Sequence, residues 1–430
     1  MNDSVRPVAP APRGTTRRAL ITGLAVGGAG AAAVFSATGD SRDSSPLPGP
    51  TSPLPGPRIE TPVGAVPSDT DLIVRGTGTA AIQGAIDAAP DGGVVRLSSG
   101  TVHDVTTVEL RDKDVVVAMQ GATINTTVRD SFAFVQQQHR RRLTIMGGTI
   151  TGAGSGVRYS LPPDDHQSYD FVADGVTFSV QPTQTAIRLT GVREATINEC
   201  FFDSCIGVVL NESVNTHLTT CQFRNCPTGV FGDGRSTGSS FDAGLMISNA
   251  TMLGCDYGVR AAGWDWVSII NSMIDYCDRP VELMNVDGAS IASSYLSNRD
   301  AAAGPFPVLQ ILSDEKMPGV PSQHIKISQS IIVDRVKQTP EKSIGVRIND
   351  ASWVSLTDTS IHFWLQYGVF ATGACEGLRL HGNVIKPGPD AQDPVAIEGA
   401  GGNDATWIIS ENVLGAPVRN VLTAVLRDNV

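Results

Sequence analysis

The chain has 430 residues, of which 45 are Gly and 26 are Pro, while charged residues make up 17% and aromatic residues 6%. The abundant Gly and the low charge exclude a coiled coil, and a hydrophobic content of 41% excludes wholesale disorder. The formal net charge of −11 argues against nucleic acid as a partner, because phosphate binding requires a basic surface. This composition is typical of a β protein with many turns.

The N-terminal region carries a twin arginine, Arg17-Arg18, ahead of a mildly apolar run over 19–37. This arrangement resembles a Tat-type export signal, and we assign residues 1–40 to a signal peptide. A retained membrane anchor is the alternative, although Gly dilutes the apolar run. Residues 41–69 are rich in Pro and Ser and cannot build a core, which is typical of a linker. We therefore expect a secreted or cell-surface protein.

A repeat of about 22 residues runs through the remainder of the chain, most clearly between 197 and 299. The segment Ile197–Val208 returns as Leu218–Val230, and weaker copies bring the total to about a dozen units. Each unit holds short alternating apolar stretches separated by Gly, Asn, Asp or Ser, which indicates strands. One unit cannot bury its apolar face alone, so the units must stack with equivalent residues above one another.

The stacked units, together with the segment Ala80–Val95, resemble the pectate-lyase-like superfamily. The resemblance covers about 70–430 and implies an all-β fold, a single-stranded right-handed parallel β-helix of about twelve rungs with an N-terminal capping helix. The stretch Gly258–Asp300 is similar to the groove-lining rungs of phage tailspikes and exported glycanases. That likeness implies a polysaccharide partner and a homotrimer, but it does not identify the reaction.

Seven cysteines are present, and six of them fall into register with the repeat, including the pairs Cys200/Cys205 and Cys221/Cys226. Neighbouring rungs would be close enough for a disulfide. Tat cargo folds in a reducing compartment, however, so we expect free buried thiols. The repeated spacing does not suit zinc, and we predict neither a metal nor a cofactor.

Interruptions of the repeat predict loops on the outside of the solenoid, where functional sites tend to lie. The main interruptions are 232–242 and 300–323, and smaller ones lie at 335–343 and 386–405. The regular rungs between the first two would form the floor of a groove.

Three columns of charged residues lie on that floor. Asp242, Asp265 and Asp287 are 23 and 22 residues apart. The others are Arg260 and Glu282, with Arg188 and Arg347 on distant rungs, and a set comprising Asp203, Arg224 and Asp275. Stacked carboxylates about 4.8 Å apart repel each other, and one acquires a raised pKa. Glycoside hydrolysis needs such a pair, with one carboxyl protonated and the other ionised.

The predicted catalytic residues are Asp242, Asp265, Asp287 and Glu282. The predicted substrate-binding residues are Asp233, Arg260, Trp264, Trp266, Tyr276 and Arg347. Trp264 and Trp266 flank Asp265, where aromatic rings would stack on sugars or pack into the core.

Other interpretations of the same residues remain open. The aspartates would also serve as turn residues at strand starts, and Arg260–Glu282 as a surface ion pair. Within the enzyme class, we predict an exported enzyme that cleaves a polysaccharide with paired carboxylates, of the glycoside hydrolase or glycosyl-transferring type. The main alternative is a polysaccharide lyase that uses an Arg or Tyr base for β-elimination. Outside it, the alternative is a non-catalytic glycan-binding surface protein, for which the Pro-rich linker would serve as a stalk.

Overall fold

The structure is a computed structural model. It describes residues 71–111, 113–137, 141–160, 170–234, 243–299, 306–314, 321–337, 343–400, 406–421 and 424–430. The predicted signal peptide, the predicted linker and Asp242 lie outside these ranges. Within them, no helix combines the length and the apolar character required to cross a bilayer.

The described strands form three parallel sheets, which we call A, B and C. Sheet A contains Leu72–Ile73, Gly93–Arg96, Val115–Ala118, Leu143–Met146, Asp170–Asp174, Glu194–Asn198, Val214–Thr219, Ala243–Ser248, Asp265–Ile270, Asp287–Ala292, Gln323–Ser328, Ser352–Thr357, Arg379–His381, Ile408–Ser410 and Val425–Arg427. Sheet B contains Val102–Val105, Thr123–Thr126, Thr149–Gly152, Thr177–Val180, Phe201–Asp203, Gln222–Arg224, Thr251–Leu253, Met273–Cys277, Tyr295–Asn298, Ile331–Val333, Ser360–Trp364, Val384–Pro387 and Val413–Leu414. Sheet C contains Val108–Glu109, Phe132–Gln137, Ser155–Ser160, Thr185–Thr190, Ile206–Asn211, Thr228–Asp233, Tyr257–Ala262, Arg279–Met284, Leu309–Leu312, Ile344–Asn349, Tyr367–Thr372, Val395–Ala400 and Val418–Arg419.

From Gly93 onward the chain visits the sheets in the order A, B, C on every turn, and each strand pairs with its counterpart one turn away. This winding is a parallel β-helix, because every turn adds one strand to each sheet. The strands are short. Buried residues alternate with more exposed ones in most strands of sheets A and B, whereas several sheet C strands are buried over four or five consecutive residues. The alternating apolar stretches of the sequence therefore supply the walls of one continuous apolar interior.

A helix spans Thr79–Ala88 at the start of the solenoid and overlaps the segment Ala80–Val95, on which the sequence resemblance partly rests. Ile82 and Ile86 on its apolar face are buried in the core. The Lys113 ammonium donates hydrogen bonds to the carbonyl oxygens of Asp87 and Ala89, at 2.6 and 2.7 Å. A cation at the last carbonyls of a helix satisfies acceptors that have no partner within the helix.

Equivalent core residues stack along the solenoid. Phe178, Phe202 and Phe223 occupy one register position of sheet B. Their ring centroids are 5.2 and 4.4 Å apart, and the rings are parallel to within 6°. A parallel register forces this arrangement, because each residue lies beside the same position of the next turn.

The corners of the solenoid carry polar ladders in which a side chain of one rung bonds the backbone of the preceding rung. The Ser294 hydroxyl accepts the Ser272 amide hydrogen at 3.2 Å, and the Asn412 side chain accepts the Asn383 amide hydrogen at 2.9 Å. These bonds satisfy backbone groups that the turns remove from the sheets.

All seven cysteines are buried and free of disulfides, as the sequence predicts. Cys200 and Cys221 lie at one corner of the solenoid, and each thiol donates a hydrogen bond to a backbone carbonyl of the preceding rung. Burial raises the pKa of the Cys221 thiol to about 12. The Cys200 and Cys221 thiols therefore stay protonated and behave as small apolar groups.

The predicted interruptions need correction at two places. The segment 300–323 contains the strand Leu309–Leu312, and the segment 386–405 contains the strand Val395–Ala400. Both strands belong to sheet C, so each segment comprises two separate connections and not a single loop. The solenoid requires a sheet C strand on every turn, even where the repeat is obscured in the sequence.

Candidate functional site

Asp265 and Asp287 are the first residues of neighbouring sheet A strands and lie directly in register. Adjacent parallel strands place such residues about 4.8 Å apart. The next position in this column is Gln323, and the preceding one is Ala243. The expected column of three aspartates is therefore corrected to two within the described residues, since Ala243 occupies the place assigned to Asp242.

The connections that lead into the two aspartates are short. Gly263 and Trp264 alone join sheet C to Asp265, and Asn285 and Val286 alone join it to Asp287. The corresponding connections on the rungs before and after are longer, spanning 234–242 and 313–322. The aspartate pair therefore lies on two tight corners between two longer connections.

Trp264 anchors the first of these corners from inside. Its side chain is 0% exposed, and a methyl group placed on Gly232 would lie 2.9 Å from its ring. The predicted sugar-stacking role of Trp264 is corrected, because no ligand can reach this ring. Trp264 therefore fills the interior at the corner that leads to Asp265.

The two carboxyl groups have different surroundings. The Gln323 side-chain amide donates to Asp287 Oδ2 at 3.1 Å, and His324 Nδ1 lies 2.9 Å from Asp287 Oδ1. No donor among the described residues reaches the Asp265 carboxyl. Burial, followed by the negative charge of Asp287, raises the pKa of Asp265. Adjacent carboxyls in unlike surroundings are suited to different roles in proton transfer.

The titration of Asp265 should depend on Asp287. We expect the Asp265 carboxyl to titrate above the ordinary aspartate pKa of about 3.9 and to move part of the way back in Asp287→Asn, because the burial remains. Carbon NMR of labelled aspartate across a pH series measures the Asp265 pKa in the wild type and in Asp287→Asn. Asp203→Asn on sheet B serves as the control and should leave the Asp265 pKa unchanged. An unchanged Asp265 pKa in Asp287→Asn would show that the two groups do not interact.

Trp266 follows Asp265 and points outward. Its side chain is 72% exposed, and its backbone is left-handed, with φ of 59°. This conformation costs a residue with a side chain about 1–2 kcal/mol, and for a bulky residue it is a genuine outlier. The Trp266 ring is therefore held outward beside Asp265 without being buried.

Arg260 and Glu282 also stack, but on sheet C, and the column continues through Gln310 to Arg347. The predicted stacking is confirmed. Arg260 Nε lies 2.7 Å from Glu282 Oε1, as an ion pair that is not aligned as a hydrogen bond. Arg279 Nη1 lies 3.5 Å from the other Glu282 oxygen. The Glu282 carboxylate is buried between two guanidinium groups, an arrangement that suits structure more than proton transfer.

The other predicted residues occupy different places. Tyr276 lies on sheet B, with the Arg335 guanidinium 5.1 Å from its ring centroid. Asp233 is the last residue of its sheet C strand and is paired with Ala262, close to the corner that leads to Asp265. Of the predicted site residues, Asp265, Asp287 and Trp266 come together at the N-terminal ends of two neighbouring sheet A strands.

The sequence did not reveal Gln323 and His324. They occupy the rung after Asp287, but 36 residues separate Asp287 from its register partner Gln323, instead of about 22. The only available indication was one of the weaker copies of the repeat, Ile327–Gln329, from which the register could have been counted backwards.

No family model matches the chain, and no curated protein matches it. Among solved structures, tailspike protein 3 of bacteriophage CBA120 aligns with a TM-score of 0.54 at 15% identity, over 82% of this chain and 56% of the tailspike. The chain has a parallel β-helix fold. This finding confirms the all-β parallel β-helix that the sequence resemblance implied, while the rung count and the capping role of the helix stay predictions.

Two further parallel β-helix structures align over most of the chain. The mannuronan C-5 epimerase A-module of Azotobacter vinelandii matches at 13% identity and a TM-score of 0.46, over 82% of this chain and 93% of its own. The family 28 exopolygalacturonase of Yersinia enterocolitica matches at 11% identity and a TM-score of 0.42, over 84% and 77%. The chain spans a little over half the length of the tailspike. At these identities the likeness concerns the fold alone.

Proposed function

We propose that this parallel β-helix protein is an exported glycoside hydrolase that cleaves a polysaccharide at the Asp265–Asp287 pair. The observation that carries the proposal is the asymmetry of two in-register carboxyls. One has a raised pKa and no hydrogen-bond donor among the described residues, and the other is oriented by Gln323 and His324. The twin arginine Arg17-Arg18 supports export.

In this proposal Asp265 is the general acid. A raised pKa favours the protonated form of its carboxyl, and the proton passes to the glycosidic oxygen as the bond to the leaving sugar breaks. The Asp287 carboxylate attacks the anomeric carbon and forms a glycosyl ester. Asp265, now ionised, removes a proton from water, and the resulting hydroxide releases the sugar from Asp287.

The spacing of adjacent strands favours this double displacement. Retaining glycosidases hold their two carboxyls about 5–5.5 Å apart, close to the strand spacing of about 4.8 Å. Inverting enzymes need about 6.5–9.5 Å, which in-register neighbours do not provide. We therefore propose retention of the anomeric configuration. Trp266, directly beside Asp265, would hold the sugar ring by stacking.

The experiment is a screen of bacterial, fungal and plant polysaccharides with product mass spectrometry. We expect reducing sugars that carry one added water per bond broken, and none from Asp287→Asn. Products with an unsaturated uronate, detected by ultraviolet absorbance, would overturn the hydrolase in favour of the lyase. Glycan binding without any product would overturn the enzyme in favour of the binding protein.

A further inference from the structure

The second residue of six successive sheet A strands has a left-handed backbone, and so has Gly377, which follows the bridge residue Glu376 on the next rung. The residues and their φ values are Asn215 (52°), Gly244 (74°), Trp266 (59°), Gly288 (79°), His324 (55°), Trp353 (56°) and Gly377 (67°). Gly and Asn adopt this conformation readily. Trp266, His324 and Trp353 therefore stand where the backbone favours a smaller residue.

Burial does not compensate for this backbone conformation. Trp353 is 53% exposed, compared with 72% for Trp266. Each ring lies over a glycine of the following rung. A methyl group on Gly288 would be 3.3 Å from Trp266 Cε3, and one on Gly377 would be 2.6 Å from Trp353 Cε3. In each case several atoms of the ring lie at similar distances, so one ring face rests on the backbone and leaves the rest of the ring available to a ligand.

The two rings belong to one straight row. Three strand spacings separate Trp266 from Trp353, a distance of about 14 Å. His324 stands between them and is tied to Asp287 by its Nδ1. The next outward-facing row, two positions further along the strands, is polar, and it consists of Ser268, Ser290, Lys326 and Ser355.

This combination fits a carbohydrate better than a protein partner. Pyranose rings present a flat apolar face and a rim of hydroxyl groups. The exposed indole faces match the apolar face of the sugar, while the hydroxyl groups of the serine row and the Lys326 ammonium match its rim. A protein partner would be expected to need a continuous apolar patch, whereas glycine and polar residues separate these rings.

We propose that Trp353 forms a second sugar-binding subsite, and that Trp266, His324 and Trp353 form one glycan-binding track that begins at the Asp265–Asp287 pair. The proposal rests on the proposed function for the class of ligand. A polysaccharide would lie along the solenoid and contact both rings, while a short oligosaccharide at the carboxyl pair would reach Trp266 alone.

The test is affinity electrophoresis of the full chain through gels that each contain one polysaccharide: xylan, carboxymethylcellulose, dextran, alginate or polygalacturonate. The variants are Trp266→Gly and Trp353→Gly in the Asp265→Asn background, so that no cleavage occurs. Phe363→Gly is the matched control, because Phe363 is 55% exposed and left-handed, with φ of 62°, but lies on sheet B.

We expect each tryptophan variant to weaken retention by about tenfold, and Phe363→Gly to leave it unchanged. All three glycine variants should melt no lower than their parent, because glycine removes the strain of the left-handed backbone. Trp353→Gly should also leave the affinity for a disaccharide unchanged.

Retention of Trp353→Gly equal to that of its parent overturns the track, as does equal weakening by Phe363→Gly or the absence of retention in all five gels. The two proposals fail separately. If Asp265→Asn keeps full cleavage activity while Trp353→Gly loses retention, the hydrolase proposal fails and the track stands. If Asp265→Asn is inactive and Trp353→Gly binds normally, the track fails and the hydrolase stands.

Discussion

Asp265→Asn is expected to lower the rate of polysaccharide cleavage by about 10²–10⁴-fold, the usual contribution of a general acid. Asparagine keeps the size of the side chain but cannot donate and recover a proton at the glycosidic oxygen. The measurement is release of reducing sugar at substrate saturation. Asp203→Asn, which removes an aspartate from sheet B, is the control and should retain full activity.

The stability of Asp265→Asn separates catalysis from a structural role. Because the folded protein raises the Asp265 pKa, this residue contributes stability below its unfolded pKa of about 3.9, and that contribution is lost as the pH rises through the folded value. Asparagine stays neutral throughout. The melting temperature of Asp265→Asn should therefore exceed that of the wild type at neutral pH, and the difference should vanish in acid. A lower melting temperature with retained cleavage would make Asp265 a turn residue.

Phe202→Ala is expected to lower the free energy of unfolding by about 3–5 kcal/mol. Phe202 is fully buried and lies between Phe178 and Phe223, with ring centroids 5.2 and 4.4 Å away. Both neighbours would lose a stacking face, and the strands that carry them are fixed by the sheet, so the cavity cannot close. Denaturant unfolding measures the loss.

Phe363→Ala is the matched control for this experiment, because its ring is largely exposed, and it should change the free energy of unfolding by less than about 0.5 kcal/mol. Equal losses in the two variants would show that ring stacking in the interior does not govern stability. In a solenoid the loss in Phe202→Ala should be concentrated in the rungs around sheet B strand Phe201–Asp203.

The repeat spacing predicted much of the register. Arg260 over Glu282, Asp265 over Asp287 and Asp203 over Arg224 all follow from the chain returning to the same position on the next turn. Such pairs are accessible from sequence because the connections between them are short and uniform.

Where the connections differ in length, the repeat spacing does not predict the register. The aspartate column is off by one residue at Asp242, because nothing in the segment 232–242 marks where the next strand begins. Likewise, Trp264 and Trp266 look equivalent beside Asp265, yet one is buried and the other is exposed. The difference arises because Trp264 precedes the strand Asp265–Ile270, while Trp266 lies within it. A shift of the first strand residue by one position would turn each side chain of the strand to the opposite face, so the sequence alone does not say which tryptophan is exposed.

The register of the solenoid also constrains how the chain can change in evolution. Duplication or loss of one complete turn adds or removes a strand in all three sheets together and leaves every other column aligned. An insertion of a few residues within a strand would instead misalign every column it crosses. Length variation is therefore expected to occur in whole turns or in the corner connections. By gaining turns after Ser352–Thr357, a descendant could lengthen the row of exposed rings while keeping the carboxyl pair intact.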